Sequence, residues 1–177
     1  MTADNHILPD VLGHGLSVVF CGTAVGNSSS RMAAYYAHPN NQFWSILHET
    51  GLTSTQLNPH EYAEVGKFGI GLTDLCKHAS GIDSEIPKVT DDDRQGLILK
   101  VEKFQPRFLA FTSKEAGKRF LKGSPSLGLS SRTISDTKIF VLPSTSLMAA
   151  WQWNDTKTHW QDLAGEIMRD REIRPHN

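Results

Sequence analysis

Small and aromatic residues follow the first apolar segment of the sequence, at positions where they could bind a polar ligand. Residues 16–21 (LSVVFC) lead into residues 22–30 (GTAVGNSSS), whose backbone N–H groups can approach an anionic or polar group closely. The stretch lacks the lysine of a Walker loop and the third glycine of a dinucleotide-binding fingerprint. It predicts either a binding loop for a polar group or a tight turn between elements.

Two further polar positions lie near aromatic residues or at the end of an apolar segment. In residues 35–44 (YYAHPNNQFW), an aromatic ring in a loop suits stacking on a flat base, whereas Asn40 or Asn41 could simply cap a helix. Residues 68–72 (FGIGL) are followed by Asp74, where a catalytic or base-reading carboxylate would lie at the ligand-binding edge of a parallel sheet. A turn or helix cap is the alternative for Asp74.

The last apolar segment, residues 138–142, precedes a run of hydroxyl side chains and an apolar tip. Ser144, Thr145 and Ser146 could hold phosphates, and Leu147 or Met148 could wedge into a base stack. An ordinary loop with a buried Leu and Met is the alternative. After residues 107–111, a basic cluster contains Lys114, Lys118, Arg119 and Lys122, which predicts either a phosphate-facing surface or a solvated helix face.

These candidate residues need a scaffold, and the apolar pattern predicts a parallel α/β sheet. The four segments 16–21, 68–72, 107–111 and 138–142 are nearly continuous in apolar residues, which is typical of strands covered on both faces. Helical patterns separate them, so we expect a three-layer α/β/α sandwich with a central four-stranded parallel sheet. We expect residues 123–132 to form a loop.

Helix signals support this arrangement. Apolar stripes predict helices in residues 41–50, in residues 91–104 and around residues 160–168. A helix start is predicted at Asn58, and capping boxes are predicted from Thr90 to Asp93 and from Thr112 to Glu115.

Length and composition limit the classes of function. The 177 residues predict a single domain over residues 1–177, with a frayed tail at 171–177. A net charge of −1 excludes a wholly basic nucleic-acid wrapper, although a local basic patch is still allowed. Two cysteines and scattered histidines predict no metal and no cofactor. With no signal peptide or apolar span visible, we expect a cytoplasmic monomer that does not bind membranes, associated with the nucleoid if bacterial.

Taken in order, these motifs resemble the uracil-DNA glycosylase superfamily. Residues 7–12 and 15–22, Ser28 with Ser29, and the quite specific AHPNNQFW of residues 37–44 are similar to the mismatch-specific uracil/thymine-DNA glycosylase branch. Residues 69–74 (GIGLTD) and 81–84 (GIDS) are more similar to hypoxanthine-DNA glycosylases. Residues 141–146 stand at the place of the second active-site motif, and the resemblance covers residues 7–168.

The sequence departs from this resemblance at two points. The mismatch-specific branch carries a GINPG loop whose asparagine positions the attacking water, but here the loop reads GTAVG, and the methyl group of Ala24 cannot hold a water. Residues 141–146, the closing loop, lack the histidine of the uracil-specific enzymes and the glycine and arginine of the mismatch-specific ones. Catalysis must then depend on another residue, or the protein binds damaged DNA and hardly cleaves it.

The resemblance implies a monofunctional base-excision-repair glycosylase that flips out and removes uracil, or hypoxanthine or another deaminated base. Tyr36 would stack on the base, within a base-binding group that also includes Gly22 and the backbone N–H groups of Thr23 and Ala24. Asn41 would position the water, and Asp74 would read the base or act as an auxiliary base.

At the DNA surface, the side chains of Ser144, Thr145 and Ser146 would bind phosphates. Leu147 or Met148 would fill the space that the flipped base leaves in the base stack. Lys114 would add salt-dependent affinity. The competing interpretations are a weakly catalytic binder of uracil-containing or abasic DNA, and an unrelated small-molecule α/β enzyme.

Overall fold

A five-stranded sheet forms the centre of the protein, whose computed structural model describes residues 6–174. The sheet order is β2-β1-β3-β5-β4, parallel except for β4, which is antiparallel to β5. The strands are β1 (Val18–Val25), β2 (Ile70–Ser80), β3 (Phe108–Phe111), β4 (Gly128–Ile134) and β5 (Thr137–Val141). The α-helices are α1 (Asn27–Met32), α2 (Phe43–Glu49), α3 (Asp91–Phe104), α4 (Lys114–Leu121), α5 (Trp153–Thr156) and α6 (Thr158–Ile173), and two 3-10 helices cover Pro59–Phe68 and Leu147–Gln152.

Helices cover both faces of the sheet, which confirms the predicted three-layer α/β/α architecture. Alternate strand residues enter opposite layers, because successive side chains of a strand point to opposite faces. Phe20 packs with Phe43 of α2 and Trp160 of α6 on one face. On the other face, strand residues pack against α3 and α4, through residues such as Leu97, Val101, Ala116 and Phe120.

The fifth strand corrects the expectation of a four-stranded, wholly parallel sheet. Residues 128–134, predicted as part of a loop, form the edge strand β4 and return to β5 through a two-residue turn in which Ser135 has a φ of 48°. Most side chains of this edge strand are exposed, so it carries no apolar run to reveal it.

Two strands also extend beyond their predicted ends. Residues 22–25 continue β1 instead of opening a loop, and β2 continues from residue 72 to Ser80. Asp74 therefore lies within a strand, not after it. The pattern is misleading here because a small or polar residue inside a paired strand interrupts the apolar run without interrupting the backbone hydrogen bonds.

The helix signals are confirmed with three differences. Asn58 and Thr90 cap their helices through complete capping boxes, but Ser113, not Thr112, caps α4 by accepting from the N–H of Ala116. Met168, the last residue of the apolar stripe predicted around residues 160–168, is 39% exposed. Of the tail predicted to fray, residues 171–173 remain in α6, while residues 175–177 lie outside the described part of the chain.

None of the helices within residues 6–174 combines the length and the apolar character needed to cross a bilayer.

Gly71 of β2 provides a test of the packing beneath the sheet. A Cβ at this position would lie 2.7 Å from the carbonyl oxygen of Val11 and 2.8 Å from Cδ1 of Leu16. Gly71→Ala should therefore lower the free energy of unfolding by about 1–3 kcal/mol, measured by urea denaturation. Gly96→Ala in α3 is the control: apart from its chain neighbours and the backbone of its own helix, its Cβ would meet no heavy atom of residues 6–174 within 4 Å, and it should stabilise by up to ~1 kcal/mol. Equal effects of the two substitutions would contradict this packing.

Candidate functional site

A cavity of about 390 Å³ opens at the carboxyl end of the parallel strands. Its wall comes from the ends of β1 and β2, from the loop before α2, from the residues after β3 and from the loop after β5. This is the edge where ligands bind in open α/β sheets, and the volume suits a small molecule or a single base. All the site residues predicted from the sequence line it except Lys114, an exposed residue at the start of α4 next to the cavity-lining Ser113.

The end of β1 presents an open backbone edge to this cavity. The carbonyl of Cys21 accepts a hydrogen bond from the N–H of Thr112, directly after β3 ends. Backbone groups alternate between the two edges of a strand, so Thr23 points toward the same side as Cys21, where no strand follows. Ala24 is paired with Cys76, and the same alternation directs its backbone groups toward β2. Thr23 is therefore the better placed of the two predicted N–H donors.

Gly22 allows β1 and the side chain of Asp74 to come together. The two residues are paired across the β1–β2 ladder, and a Cβ on Gly22 would lie 2.7 Å from Oδ1 of Asp74. Any larger side chain would have to displace this carboxylate. The glycine is thus required by the close approach of the carboxylate.

Tyr36 forms an aromatic wall of the cavity. Its ring stacks on Phe43 with a centroid distance of 3.8 Å, and its hydroxyl lies 3.0 Å from Oγ1 of Thr112. The residue has a φ of 51°, a left-handed conformation that is uncommon for a large side chain. Stacking and the hydroxyl contact hold the ring from two sides, which prepares one aromatic face for a flat ligand.

Asn41 lines the cavity just before α2. Its Oδ1 accepts a hydrogen bond from the N–H of Phe43 (2.9 Å), the first residue of α2, but the N-cap residue of this helix is Gln42 and not Asn41. An amide oxygen has two lone pairs, and the second can accept from a water in the cavity. Its neighbour Asn40 is exposed and does not line the cavity.

Asp74 is a buried carboxylate in the cavity wall, with a cluster of charges behind it. Its Oδ2 is buried without a hydrogen-bond partner in the described chain, 3.8 Å from Nζ of Lys77. Lys77 in turn contacts Oδ1 of Asp10 (2.7 Å) and the hydroxyl of Tyr35 (3.1 Å). Lys100 contacts the other oxygen of Asp10 at 2.6 Å.

Burial raises the pKa of Asp74 to about 6, and the positive charge of Lys77 is the main effect opposing the increase. This carboxyl group can therefore change its protonation state close to neutral pH. When ionised it only accepts hydrogen bonds, and when protonated it can also donate one.

The closing loop is tied to both flanking layers. The carbonyl of Thr145 accepts from the N–H of Gln42, and the carbonyl of Pro143 accepts from the indole N–H of the fully buried Trp160. Thr145 is 2% exposed, whereas the half-buried Ser144 and Ser146 share a hydrogen bond between their hydroxyls (3.0 Å). The two serines are thus the more accessible of the three predicted phosphate ligands.

Exposed apolar side chains surround the mouth of the cavity. Leu147 and Met148 line it and are 50% and 72% exposed, so the alternative of a loop with a buried Leu and Met is wrong. Trp151, on the same 3-10 helix, is also exposed, and Ile82 on the opposite lip is 43% exposed. Arg119 of the predicted basic cluster forms an ion pair with Glu115 and donates a hydrogen bond to the carbonyl of Asp83. This bond holds the side of the cavity mouth that contains Ile82.

Sequence reasoning missed Lys77 and Tyr35 as parts of this site. Both are buried and contact each other, but Lys77 follows Asp74 by three residues, a spacing that places side chains on opposite faces of a regular strand. The sequence carried no signal for Lys77, because this residue lies beyond the predicted end of the strand at residue 72 and its burial is seen only in the structure.

The pKa of Asp74 makes the stability of the fold depend on pH. A folded-state pKa raised to about 6 stabilises the protein at low pH, and this contribution is lost as the pH rises through 6. Wild-type protein should therefore lose about 1 kcal/mol of unfolding free energy relative to Asp74→Asn between pH 5 and pH 8, measured by urea denaturation at each pH. A constant difference between the two proteins would show that Asp74 does not titrate in this range.

Comparisons with known proteins agree with the geometry. The solution NMR structure of a proposed uracil DNA glycosylase from Methanosarcina acetivorans superposes with a TM-score of 0.60 at 21% sequence identity, covering 92% of this chain and 95% of that one. At this identity the likeness shows the shared fold. The family model of the Uracil DNA glycosylase superfamily matches residues 9–164. Because this match spans most of the chain, the protein belongs to the uracil DNA glycosylase superfamily.

Proposed function

We propose that the protein is a monofunctional DNA glycosylase that flips a deaminated base, uracil or hypoxanthine, out of DNA and removes it by hydrolysis. Family membership supports action on DNA, and the observation that carries the proposal is the composition of the cavity. It combines the stacked ring of Tyr36, the buried carboxyl group of Asp74 and the amide of Asn41. These groups can hold the face of a base, its polar edge and an attacking water.

In this proposal the base stacks on Tyr36, and Asp74 meets its hydrogen-bonding edge. The bond between C1′ of the sugar and the base nitrogen breaks, and the oxygen of a water held by Asn41 adds to C1′. The base leaves with the bonding electrons and takes up a proton. The N–H of Thr23, on the open edge of β1, is a fixed donor for the negative charge that develops on the base.

The residues around the mouth of the cavity would form the surface that binds the DNA strands. Ser144 and Ser146 would bind phosphates next to the flipped nucleotide, and Lys114 would add salt-dependent affinity. Leu147 and Met148 would enter the space that the base vacates, as apolar wedges do in other kinked duplexes. The branch that the sequence resembles acts on mismatched bases. The ranking of uracil opposite guanine against uracil opposite adenine in an excision assay shows whether this protein prefers a mismatch.

A weakly catalytic protein that binds uracil-containing or abasic DNA is the second candidate. The observation that favours it is Ala24, a residue of the cavity wall that stands where the mismatch-specific branch has its water-positioning asparagine. This candidate predicts a stable complex with damaged DNA and less than one turnover per protein molecule.

Single-turnover excision on labelled oligonucleotides separates these candidates. The substrates contain uracil in a single strand, uracil opposite guanine, uracil opposite adenine, or hypoxanthine, and alkali reveals abasic sites. A glycosylase should convert at least one substrate completely. A stable gel shift without cleavage would favour the binding protein, and the absence of both signals would overturn the proposal.

Asn41→Ala should lower the single-turnover rate about 100-fold or more, because the attacking water loses its acceptor. Asn40→Ala is the matched control: it removes the neighbouring exposed amide and should retain the wild-type rate within about threefold. The thermal transition of both variants is recorded, since Asn41 also accepts a hydrogen bond from the N–H of Phe43 at the start of α2. Full excision by the folded Asn41→Ala variant would contradict the assigned role.

The double substitution Leu147→Ala and Met148→Ala should slow excision from duplex DNA about tenfold or more, with a smaller effect on single strands. The reason is that only the duplex needs an apolar group in the vacated stack, and burying one such side chain contributes about 1.5–3 kcal/mol. Leu129→Ala, at a similarly exposed leucine on β4, is the control. Equal losses on both substrates would rule out a wedge.

A further inference from the structure

Lys77 is a buried cation in the wall behind Asp74, and the role assigned to Asp74 above does not account for it. Its side chain is 7% exposed, and its Nζ reaches Asp10, Tyr35 and Asp74 at 2.7, 3.1 and 3.8 Å. An ammonium group removed from water is costly unless several partners compensate it. Three partners on three different segments therefore fix where this charge lies.

A change of register between β1 and β2 brings Lys77 to this position. Ala24 pairs with Cys76, but the next residue, Val25, pairs with Ser80. Residues 77–79 thus form a bulge in β2, which lets Lys77 turn back toward Asp74 although the two residues are three positions apart.

Asp10 anchors Lys77 independently of Asp74. Its carboxylate also accepts from Lys100 (2.6 Å) and from the hydroxyl of Thr73 (2.8 Å). Burial alone would raise the pKa of Asp10, but the two lysines more than offset it and leave the pKa lowered. Asp10 consequently stays ionised and keeps Lys77 in place whatever the state of Asp74.

We propose that Lys77 is a positioning residue that keeps Asp74 ionised and its Oδ2 turned away from the cavity, so that Oδ1 alone meets the base and selects bases with a ring N–H. This inference rests on the proposed function, and it names the substrate class. Oδ2 lies toward Lys77 and is buried, whereas Oδ1 lies toward Gly22, which lines the cavity.

A single hydrogen-bond acceptor can distinguish cytosine and adenine from the bases that their deamination produces. Cytosine and adenine carry an unprotonated ring nitrogen beside their amino groups, and this nitrogen repels a carboxylate oxygen. In uracil and hypoxanthine the same nitrogen bears a proton and can donate to Oδ1. The substrate class is then uracil and hypoxanthine as against cytosine and adenine, and 3,N4-ethenocytosine, which has no such N–H, is excluded. Guanine and thymine also carry a ring N–H, so their exclusion depends on the shape of the cavity and not on Oδ1.

Charged and titratable groups face Asp74 from several elements, and each affects its pKa in a known direction. Lys77 and Lys100 lower it, Asp10 raises it, and the nearby hydroxyl of Tyr35 lowers it. Cys21 and Tyr36 also lie close, but burial raises the pKa of each well above its ordinary value, so both are neutral near pH 7. Lys77 is the strongest of the groups that favour the ionised form.

The test is the pH profile of single-turnover uracil excision from pH 5 to pH 9. Wild-type activity should fall at acid pH as Asp74 takes up a proton, with a midpoint near 6. Lys77→Met should move this midpoint up by at least one pH unit, so that excision is about threefold slower or more at pH 6.5 and approaches the wild-type rate at pH 9. Asp10→Asn should move the midpoint down, because it removes a neighbouring negative charge.

Lys100→Met is the matched control, since it removes the other lysine on Asp10 and should move the midpoint less than Lys77→Met. A merely structural role would lower activity at every pH and would not give opposite shifts in the Lys77 and Asp10 variants. If Lys77→Met does not fold, the downward shift in Asp10→Asn still tests the charge cluster. An unchanged midpoint in the folded Lys77 and Asp10 variants, or wild-type excision of ethenocytosine at the rate of uracil, would overturn the inference.

Carbon-13 NMR of labelled aspartate follows the carboxyl group of Asp74 without any substrate. The same order of midpoints is expected, with Lys77→Met above wild type and Asp10→Asn below it. If this order is found and the wild type excises no base, the proposed function fails while the positioning of Asp74 by Lys77 stands. If the midpoints coincide and the wild type is active, the function stands and the role of Lys77 is refuted.

Discussion

Asp74 carries a carboxylate into a part of the sheet from which water is almost excluded, and moving an ion out of water is costly unless other groups stabilise its charge. Much of the site can be understood from this constraint. Gly22 leaves room for the carboxylate on the neighbouring strand. Lys77 supplies a positive charge on the side of Asp74 that faces away from the cavity. Asp10 forms an ion pair with Lys77, and Lys100 forms a second ion pair with Asp10. The cluster balances two acidic with two basic side chains when Asp74 is ionised.

The aromatic and polar groups on the other side of the cavity are held by packing and by backbone hydrogen bonds. The indole N–H of Trp44 donates to the carbonyl of Tyr35, and Phe43 supports the ring of Tyr36. Through Gln42 and Trp160, the closing loop is tied to α2 and α6. The site is therefore preorganised by the same layer of helices that forms half of the core.

The layered architecture could be predicted from the sequence because buried parallel strands leave continuous apolar runs, as in residues 107–111. The limits of the elements could not. Gly22 and Asp74 interrupt the apolar pattern, so β1 and β2 were expected to end early, although neighbouring strands continue to pair with them. The edge strand β4 has hardly any apolar pattern, and its existence depends on its pairing with β5.

For the site, the residue types of the sequence determined which chemistry is available: an aromatic ring, amides, a carboxylate, hydroxyls and an apolar tip, each following a predicted strand or preceding a helix. Their meeting at one edge followed from the parallel topology. Only the tertiary structure decided that Oδ2 of Asp74 lies against Lys77, that Thr23 is on the open edge of β1, and that Leu147 and Met148 are exposed. These features depend on a register change between two strands and on where a third strand ends, and such relations between distant segments are not encoded in the periodicity of any one of them.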